Sequence, residues 1–148
     1  MSSAQTARKK ILIIDDEEHL VRYLETLLQD HGYDTVCAAN GNEGLARARE
    51  TRPDLVCLDI TMPEKSGIRF YRELKEDPQT AATPVVVVTA VTGYGGDPRP
   101  FQEFLGKRRQ VPPPEEFISK PIERKSFLET VARILAAQQP GLKAGSDR

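Results

Sequence analysis

The chain has 148 residues, which is enough for one domain with a buried core. Its formal net charge at pH 7 is −1, so it lacks the overall basic excess of proteins that bind nucleic acid directly. No apolar stretch is long enough to span a membrane, and the polar start at 1–10 is unlike a secretory signal, so we expect a cytoplasmic protein that does not contact a membrane.

The first part of the chain alternates short apolar strands with amphipathic helices. Residues 10–14 are almost entirely apolar and predict a strand that is buried on both faces. Residues 17–31 predict a helix, because leucines recur on one helical face. A weaker strand follows at 33–38, and residues 40–51 predict a helix that begins with a capping-box pattern. Residues 54–59 predict a third strand with the same continuous apolar character.

The second part continues this alternation with one irregular stretch. A helix is predicted at 66–76, and a strand that contains four consecutive valines is predicted at 85–89. The stretch 92–114 is rich in glycine and proline and has only a weak helical pattern at 101–109. Long loops in compact domains are often functional or mobile, so we expect this stretch to be mobile and to face a partner; a tolerated surface insertion is the alternative. A last strand and a last helix are predicted at 116–119 and 123–138.

The alternation of strands and helices predicts an α/β fold, with a doubly wound five-stranded parallel sheet covered by helices on both faces. Neither an internal repeat nor a second domain is recognisable in the sequence. We therefore expect one domain at 10–138, between a disordered N-terminal tail at 1–9 and a flexible C-terminal tail at 139–148.

Polar side chains occur at the points where the predicted strands end. Asp15 and Asp16 follow the first strand, and Asp59 ends the third. Thr89 ends the fourth strand, and Lys120 follows the fifth. Because the carboxyl ends of parallel strands line one edge of a sheet, where ligands bind, these five residues are expected to share a pocket.

Three carboxylates, an ammonium group and a hydroxyl group in one pocket suit a divalent cation and a phosphoryl group. Crowded carboxylates are costly unless a cation neutralises them or one of them is protonated, and Mg²⁺ prefers hard oxygen ligands. A carboxylate can also attack phosphorus and form an acyl phosphate, while a metal and a lysine stabilise the charge of the transition state. Taken alone, Asp15 and Asp16 would be read as acids at a helix N-terminus, but Asp59 and Lys120 together favour a site.

Four motifs occur in order along the chain: ILIIDDEE, LVCLDITMPEKSG, VVVVTA and FISKP. Together they resemble the receiver domain of two-component response regulators, of the chemotaxis-regulator type, over about residues 10–138. The resemblance implies the flavodoxin-like receiver fold. It also implies a phosphorylation-controlled signalling switch, which accepts a phosphoryl group from a histidine kinase with Mg²⁺ and then changes its partner-binding face.

The resemblance assigns roles around the phosphoryl group. Asp59 would be the phospho-acceptor, Lys120 would contact the phosphoryl group, and Thr89 would turn toward it after transfer. Phe117 lies where the family often has a switching aromatic residue, so Thr89 and Phe117 are the expected switch residues. The Lys120–Pro121 peptide bond is expected to be cis, because Lys120 must point inward while the chain turns sharply into the last helix.

The resemblance also assigns the metal ligands. Asp16 would bind Mg²⁺ directly and Asp15 through water, with Asp59 and the backbone carbonyl of Thr61 as the other protein ligands. Such a domain catalyses only its own phosphorylation and dephosphorylation, so it is not expected to be an enzyme with an outside substrate.

The expected partners are a sensor histidine kinase or phosphotransfer protein and an unknown downstream protein. A haloacid-dehalogenase-like aspartyl-phosphate hydrolase is one alternative, but its DxDxT motif follows a first strand, whereas Asp59-Ile60-Thr61 lacks the second aspartate and follows the third. A receiver-like scaffold that is never phosphorylated is another alternative, and the complete set of site residues argues against it. The sequence does not name the kinase, the target or the oligomeric state, and it leaves open whether the chain is a fragment of a larger regulator.

Overall fold

The computed structural model describes residues 8–59, 66–89 and 114–138. The strands in these ranges are β1 (Lys10–Ile14), β2 (Asp34–Ala38), β3 (Leu55–Asp59), β4 (Val85–Thr89) and β5 (Glu116–Ser119). The helices are α1 (Glu18–Asp30), α2 (Gly41–Thr51), α3 (Ser66–Glu76) and α4 (Arg124–Ala137). Each of these elements begins and ends within one residue of the position that the sequence predicts. The weak helix at 101–109 lies outside the described residues.

The five strands form one parallel sheet in the order β2-β1-β3-β4-β5. The predicted doubly wound α/β architecture is therefore confirmed. From β1 the chain passes to β2 at one edge and then returns to β3 on the other side of β1, so the strand order reverses between β1 and β3. In open α/β sheets, the crevice at the carboxyl ends of the strands beside such a reversal is the usual ligand site.

The core lies on both faces of the sheet, because successive side chains of a strand point in opposite directions. On one face, Leu12 and Ile14 of β1 pack with residues of α2 and α3. On the other face, Ile11 and Ile13 pack with residues of α1 and α4. None of the helices among the described residues is long and apolar enough to cross a membrane.

Side-chain caps begin two of the helices. The Asn40 carboxamide oxygen accepts a hydrogen bond from the Glu43 amide at 2.8 Å, as the predicted capping box requires. The Glu43 carboxylate accepts a hydrogen bond from the amide of Ala39 at 2.8 Å, one residue before the N-cap. Glu123 caps α4 by accepting from the Ser126 amide at 2.9 Å. The Lys120–Pro121 bond that leads into α4 is cis, which confirms the prediction.

Gly32 follows α1 with a φ of +93°, a backbone conformation that side chains with a Cβ rarely adopt. A Cβ added there would meet no atom within 4 Å, so substitution tests the backbone alone. We expect Gly32→Ala to lower the free energy of unfolding by about 1 kcal/mol in urea denaturation. Gly32→Asn should lose less, because asparagine tolerates positive φ better despite its larger side chain. A greater loss for asparagine than for alanine would contradict this explanation.

Candidate functional site

Asp15 and Asp59 lie side by side at the carboxyl ends of β1 and β3, where the strand order reverses. In the pairing of β1 with β3, Ile14 lies opposite Leu58. Asp15 and Asp59 are the next residues of these two strands, and both are buried, with exposed fractions of 4% and 3%. The Asp15 amide still donates to the carbonyl of Ala38 on β2 at 3.1 Å, so Asp15 continues the sheet and its side chain is directed by the pleat.

Asp16 completes a cluster of three carboxylates. One carboxylate oxygen from each of Asp15, Asp16 and Asp59 lies within 4.8 Å of the other two. Asp16 is exposed, whereas the other two are buried. The structure thus brings together the three acids that the sequence singled out, with one acid on the solvent side of the other two.

Burial raises the pKa of Asp15 to about 7, well above its usual value of 3.8. The hydrogen bond from the Glu17 amide to Asp15 Oδ1, 2.9 Å long, opposes this rise, and the nearby Asp59 carboxylate adds to it. Lys120 lowers the pKa by a smaller amount. Without a cation, the pocket therefore favours a proton on Asp15 over a second buried negative charge.

Lys120 lies against this cluster from the end of β5. Its Nζ is 3.5 Å from Asp59 Oδ2 and 3.8 Å from Asp15 Oδ2. A third carboxylate, that of Glu17, lies 3.6 Å from the same nitrogen. The ammonium group is thus close enough to Asp59 to contact a group attached to that carboxylate.

The other predicted site residues are Thr89, Phe117 and Thr61, and the structure describes only the first two. Thr89 ends β4 at the same edge of the sheet, beside Ser119 and one residue beyond Val88, which is the partner of Asp59. Phe117 is half-buried and packs on the sheet face that α2 and α3 cover. Thr61 lies outside the described residues.

Glu17 is the site residue that the sequence did not single out. Its place directly after the two aspartates is the available signal, but Glu17 lies off the leucine face of the predicted helix, which favours a solvent-facing position. Sequence spacing does not report the direction in which a side chain at a helix start points. Its contact with Lys120 therefore emerges only from the structure.

The donor atoms of the cluster fit a hard divalent cation. All three candidate ligands are carboxylate oxygens, and two of them are buried in a pocket where negative charges crowd. Mg²⁺ is commonly held by one or two carboxylates together with substrate phosphates while it keeps several waters, and the exposed Asp16 leaves room for those waters.

Comparisons with known proteins identify relatives over most of the chain. The family model of the response regulator receiver domain matches residues 11–96. Protein PilH of Pseudomonas aeruginosa is 33% identical over 127 residues, which cover 86% of this chain and 98% of PilH. The polar-differentiation response regulator DivK of Brucella anthropi is 36% identical over 127 residues, which cover 86% of this chain and 96% of DivK.

Solved structures give the same result for the fold. The chemotaxis protein CheY4 of Vibrio cholerae superposes with a TM-score of 0.72 at 30% identity, over 86% of this chain and 99% of CheY4. The receiver domain of a signal transduction histidine kinase from Syntrophus aciditrophicus superposes with a TM-score of 0.73 at 30% identity, over 89% of this chain and 93% of that domain. The sheet described above is therefore the sheet of these receiver domains.

Proposed function

Because this chain belongs to the family of response regulator receiver domains, which act in phosphorylation-based signalling, we propose that it is a switch controlled by phosphorylation of Asp59. The donor is a sensor histidine kinase or a phosphotransfer protein. One observation carries the assignment to Asp59: its buried carboxylate lies at the strand reversal, 3.5 Å from the Lys120 ammonium.

The transfer is a substitution at phosphorus. An oxygen of Asp59 forms a bond to phosphorus while the bond from phosphorus to the donor's histidine nitrogen breaks. The imidazole leaves with the electron pair and later takes up a proton. Lys120 stabilises negative charge that develops on the phosphoryl oxygens, because its ammonium already lies beside the attacking carboxylate. Attack of water on the acyl phosphate later restores Asp59 and releases inorganic phosphate.

The carboxylate cluster would hold Mg²⁺, with Asp16 as a direct ligand, Asp15 through water, and Asp59 and the Thr61 carbonyl as the remaining protein ligands. When bound, the cation neutralises the crowded carboxylates and the charge of the incoming phosphoryl group. Asp15 and Asp16 would hold the cation beside the acceptor, because one carboxylate oxygen of each lies within 4.8 Å of an Asp59 carboxylate oxygen.

Thr89 and Phe117 would report the phosphorylated state to a downstream protein. Thr89 lies at the carboxyl edge of the sheet next to β5, two residues beyond Val87, which pairs with Phe117. Because Phe117 is only half-buried, its exposure can change without disruption of the core. The stretch 92–114 connects these two strands, and we assign it to the partner-facing surface.

The receiver extends over residues 10–138 and works in the cytoplasm, where its phosphoryl donors and Mg²⁺ are available. We propose contacts with proteins alone, and neither nucleic acid nor a membrane as a direct partner. The polar tails at 1–9 and 139–148 are assigned no part in the phosphoryl chemistry.

Phosphorylation with a small acyl phosphate donor tests this function. We expect the chain to take up one phosphoryl group from acetyl phosphate in the presence of Mg²⁺ and none in EDTA, as measured by intact-protein mass spectrometry. Continued turnover of an added aryl phosphate would instead favour a hydrolase. An absence of phosphorylation, both from acetyl phosphate and from phosphorylated histidine kinases, would favour a scaffold.

A further inference from the structure

Lys120 is shared between the buried site and its solvent-exposed border. Its Nζ lies at nearly equal distances from Asp59 Oδ2, at 3.5 Å, and Glu17 Oε1, at 3.6 Å. The Glu17 side chain is 60% exposed, whereas that of Asp59 is 3% exposed. The same ammonium group is thus close to the buried acceptor carboxylate of Asp59 and to the exposed carboxylate of Glu17.

The start of α1 explains why Glu17 reaches this position. Glu17 is the N-cap residue, with extended backbone angles of φ −94° and ψ 101°. Within the described chain, its side chain accepts no hydrogen bond from the first turn of α1, which is the usual role of an N-cap side chain. Its amide donates to Asp15 Oδ1 at 2.9 Å, so the site itself fixes the residue and leaves its carboxylate beside Lys120.

We propose that Glu17 is a positioning residue that holds the Lys120 ammonium in competition with the phosphoryl group and thereby weakens the phosphorylated state. The inference rests on the proposed function of Asp59. A phosphoryl group on Asp59 needs Lys120 as a cationic partner, and Glu17 offers that cation an alternative anion. Its own negative charge lies 3.6 Å from the ammonium group that the phosphoryl oxygens would contact, and like charges repel.

The expected effect is modest, because a mostly exposed ion pair is screened by water and salt. We expect Glu17→Gln to bind beryllium fluoride, a mimic of the phosphoryl group, roughly three-fold more tightly than the wild type in Mg²⁺. The difference should decrease as ionic strength rises. The chain contains no tryptophan, so isothermal calorimetry is a better measurement than fluorescence quenching.

Glu18→Gln is the matched control for charge. Glu18 is the next residue, is 76% exposed, and pairs with Arg22 at 3.2 Å instead of Lys120. The substitution removes the same negative charge from almost the same place in the sequence. We expect its affinity for beryllium fluoride to equal that of the wild type. A gain as large as that of Glu17→Gln would overturn the positioning role.

Glu17→Asp separates contact from charge. Aspartate keeps the net charge, but it is one methylene shorter and is a preferred N-cap residue, so its carboxylate should turn toward the amides of α1. We expect this variant to bind beryllium fluoride more tightly than the wild type, as Glu17→Gln does. If either Glu17 variant binds beryllium fluoride with the affinity of the wild type, the role of Glu17 is wrong but the proposed function of Asp59 is not affected. A wild-type chain that does not bind beryllium fluoride overturns the proposed function together with the inference.

Discussion

Asp59→Asn is expected to reduce phosphorylation by acetyl phosphate or a histidine kinase to background. The asparagine carboxamide occupies nearly the same volume as the carboxylate, but it has no anionic oxygen to attack phosphorus. Asp15 and Asp16 keep their carboxylates, but we assign the acceptor role to Asp59 alone, whose Oδ2 atom lies closer to Lys120 Nζ than Asp15 Oδ2 does, at 3.5 Å against 3.8 Å. Intact-protein mass spectrometry after donor treatment measures the loss directly.

A stability measurement on the same samples shows whether unfolding explains such a loss. Removal of one of two buried, mutually repelling carboxylates is expected to leave the metal-free variant at least as stable as the wild type. The urea midpoint of Asp59→Asn in EDTA therefore checks the fold independently of phosphorylation. A variant that is clearly less stable than the wild type would mean that Asp59 also supports the fold.

Asp54→Asn is the matched control for the same chemical change. Asp54 directly precedes β3, at the opposite end from Asp59, and accepts a hydrogen bond from the Lys10 amide at 2.8 Å. Asparagine can accept the same bond through its carbonyl oxygen. We expect Asp54→Asn to be phosphorylated like the wild type. Undiminished phosphorylation of Asp59→Asn would contradict the acceptor assignment.

The sequence predicts the sheet and the group of acids well because both depend on simple local rules. The continuous apolar runs before Asp15 and Asp59 identify strands that are buried on both faces. The strand before Lys120 instead has only two apolar residues, Phe117 and Ile118, and is partly exposed. Parallel strands present their carboxyl ends at one edge, so residues that follow such runs converge without any information on tertiary contacts. The structure places Lys120 Nζ within 3.5 Å of Asp59 in agreement with this rule.

The apolar run does not predict which of Asp15 and Asp16 is buried, because both residues follow it directly. Their burial differs because the Asp15 amide still bonds to Ala38 of β2, whereas Asp16 lies beyond this last bond and is exposed. Glu17 is a similar case. Its direction depends on the hydrogen bond from its amide to Asp15, which forms only when the strand end and the helix start are both in place.

Asp15→Asn is expected to change stability in opposite directions with and without Mg²⁺. In EDTA at pH 8, the wild type must bury a charge on Asp15 beside Asp59 or bind a proton at a cost. Asparagine is neutral and can still accept the Glu17 amide through its Oδ1 atom. We therefore expect the metal-free variant to be more stable than the wild type by on the order of 1–2 kcal/mol.

The pH dependence follows from the raised pKa. The Asp15 pKa is about 7 in the folded protein and is expected to lie near its usual value of 3.8 in the unfolded chain. Between these values the folded state binds more protons than the unfolded state, so metal-free stability falls as pH rises from about 4 to about 7. Asp15→Asn lacks this contribution. The two proteins should therefore approach equal stability near pH 4 and differ most above pH 7.

Saturating Mg²⁺ should reverse the order of stability at pH 8. A cation that binds only the folded state stabilises it by about 2.7 kcal/mol at one hundred times its dissociation constant. The wild type gains this stabilisation in full, whereas the variant lacks one of its three carboxylates and gains less. Urea denaturation followed by circular dichroism, in EDTA and in Mg²⁺ across pH 4–8, measures both effects. Equal responses of wild type and variant to Mg²⁺ would show that Asp15 does not belong to the metal site. If the stability of the metal-free wild type does not fall over this pH range, the predicted cost of a buried charge on Asp15 is wrong.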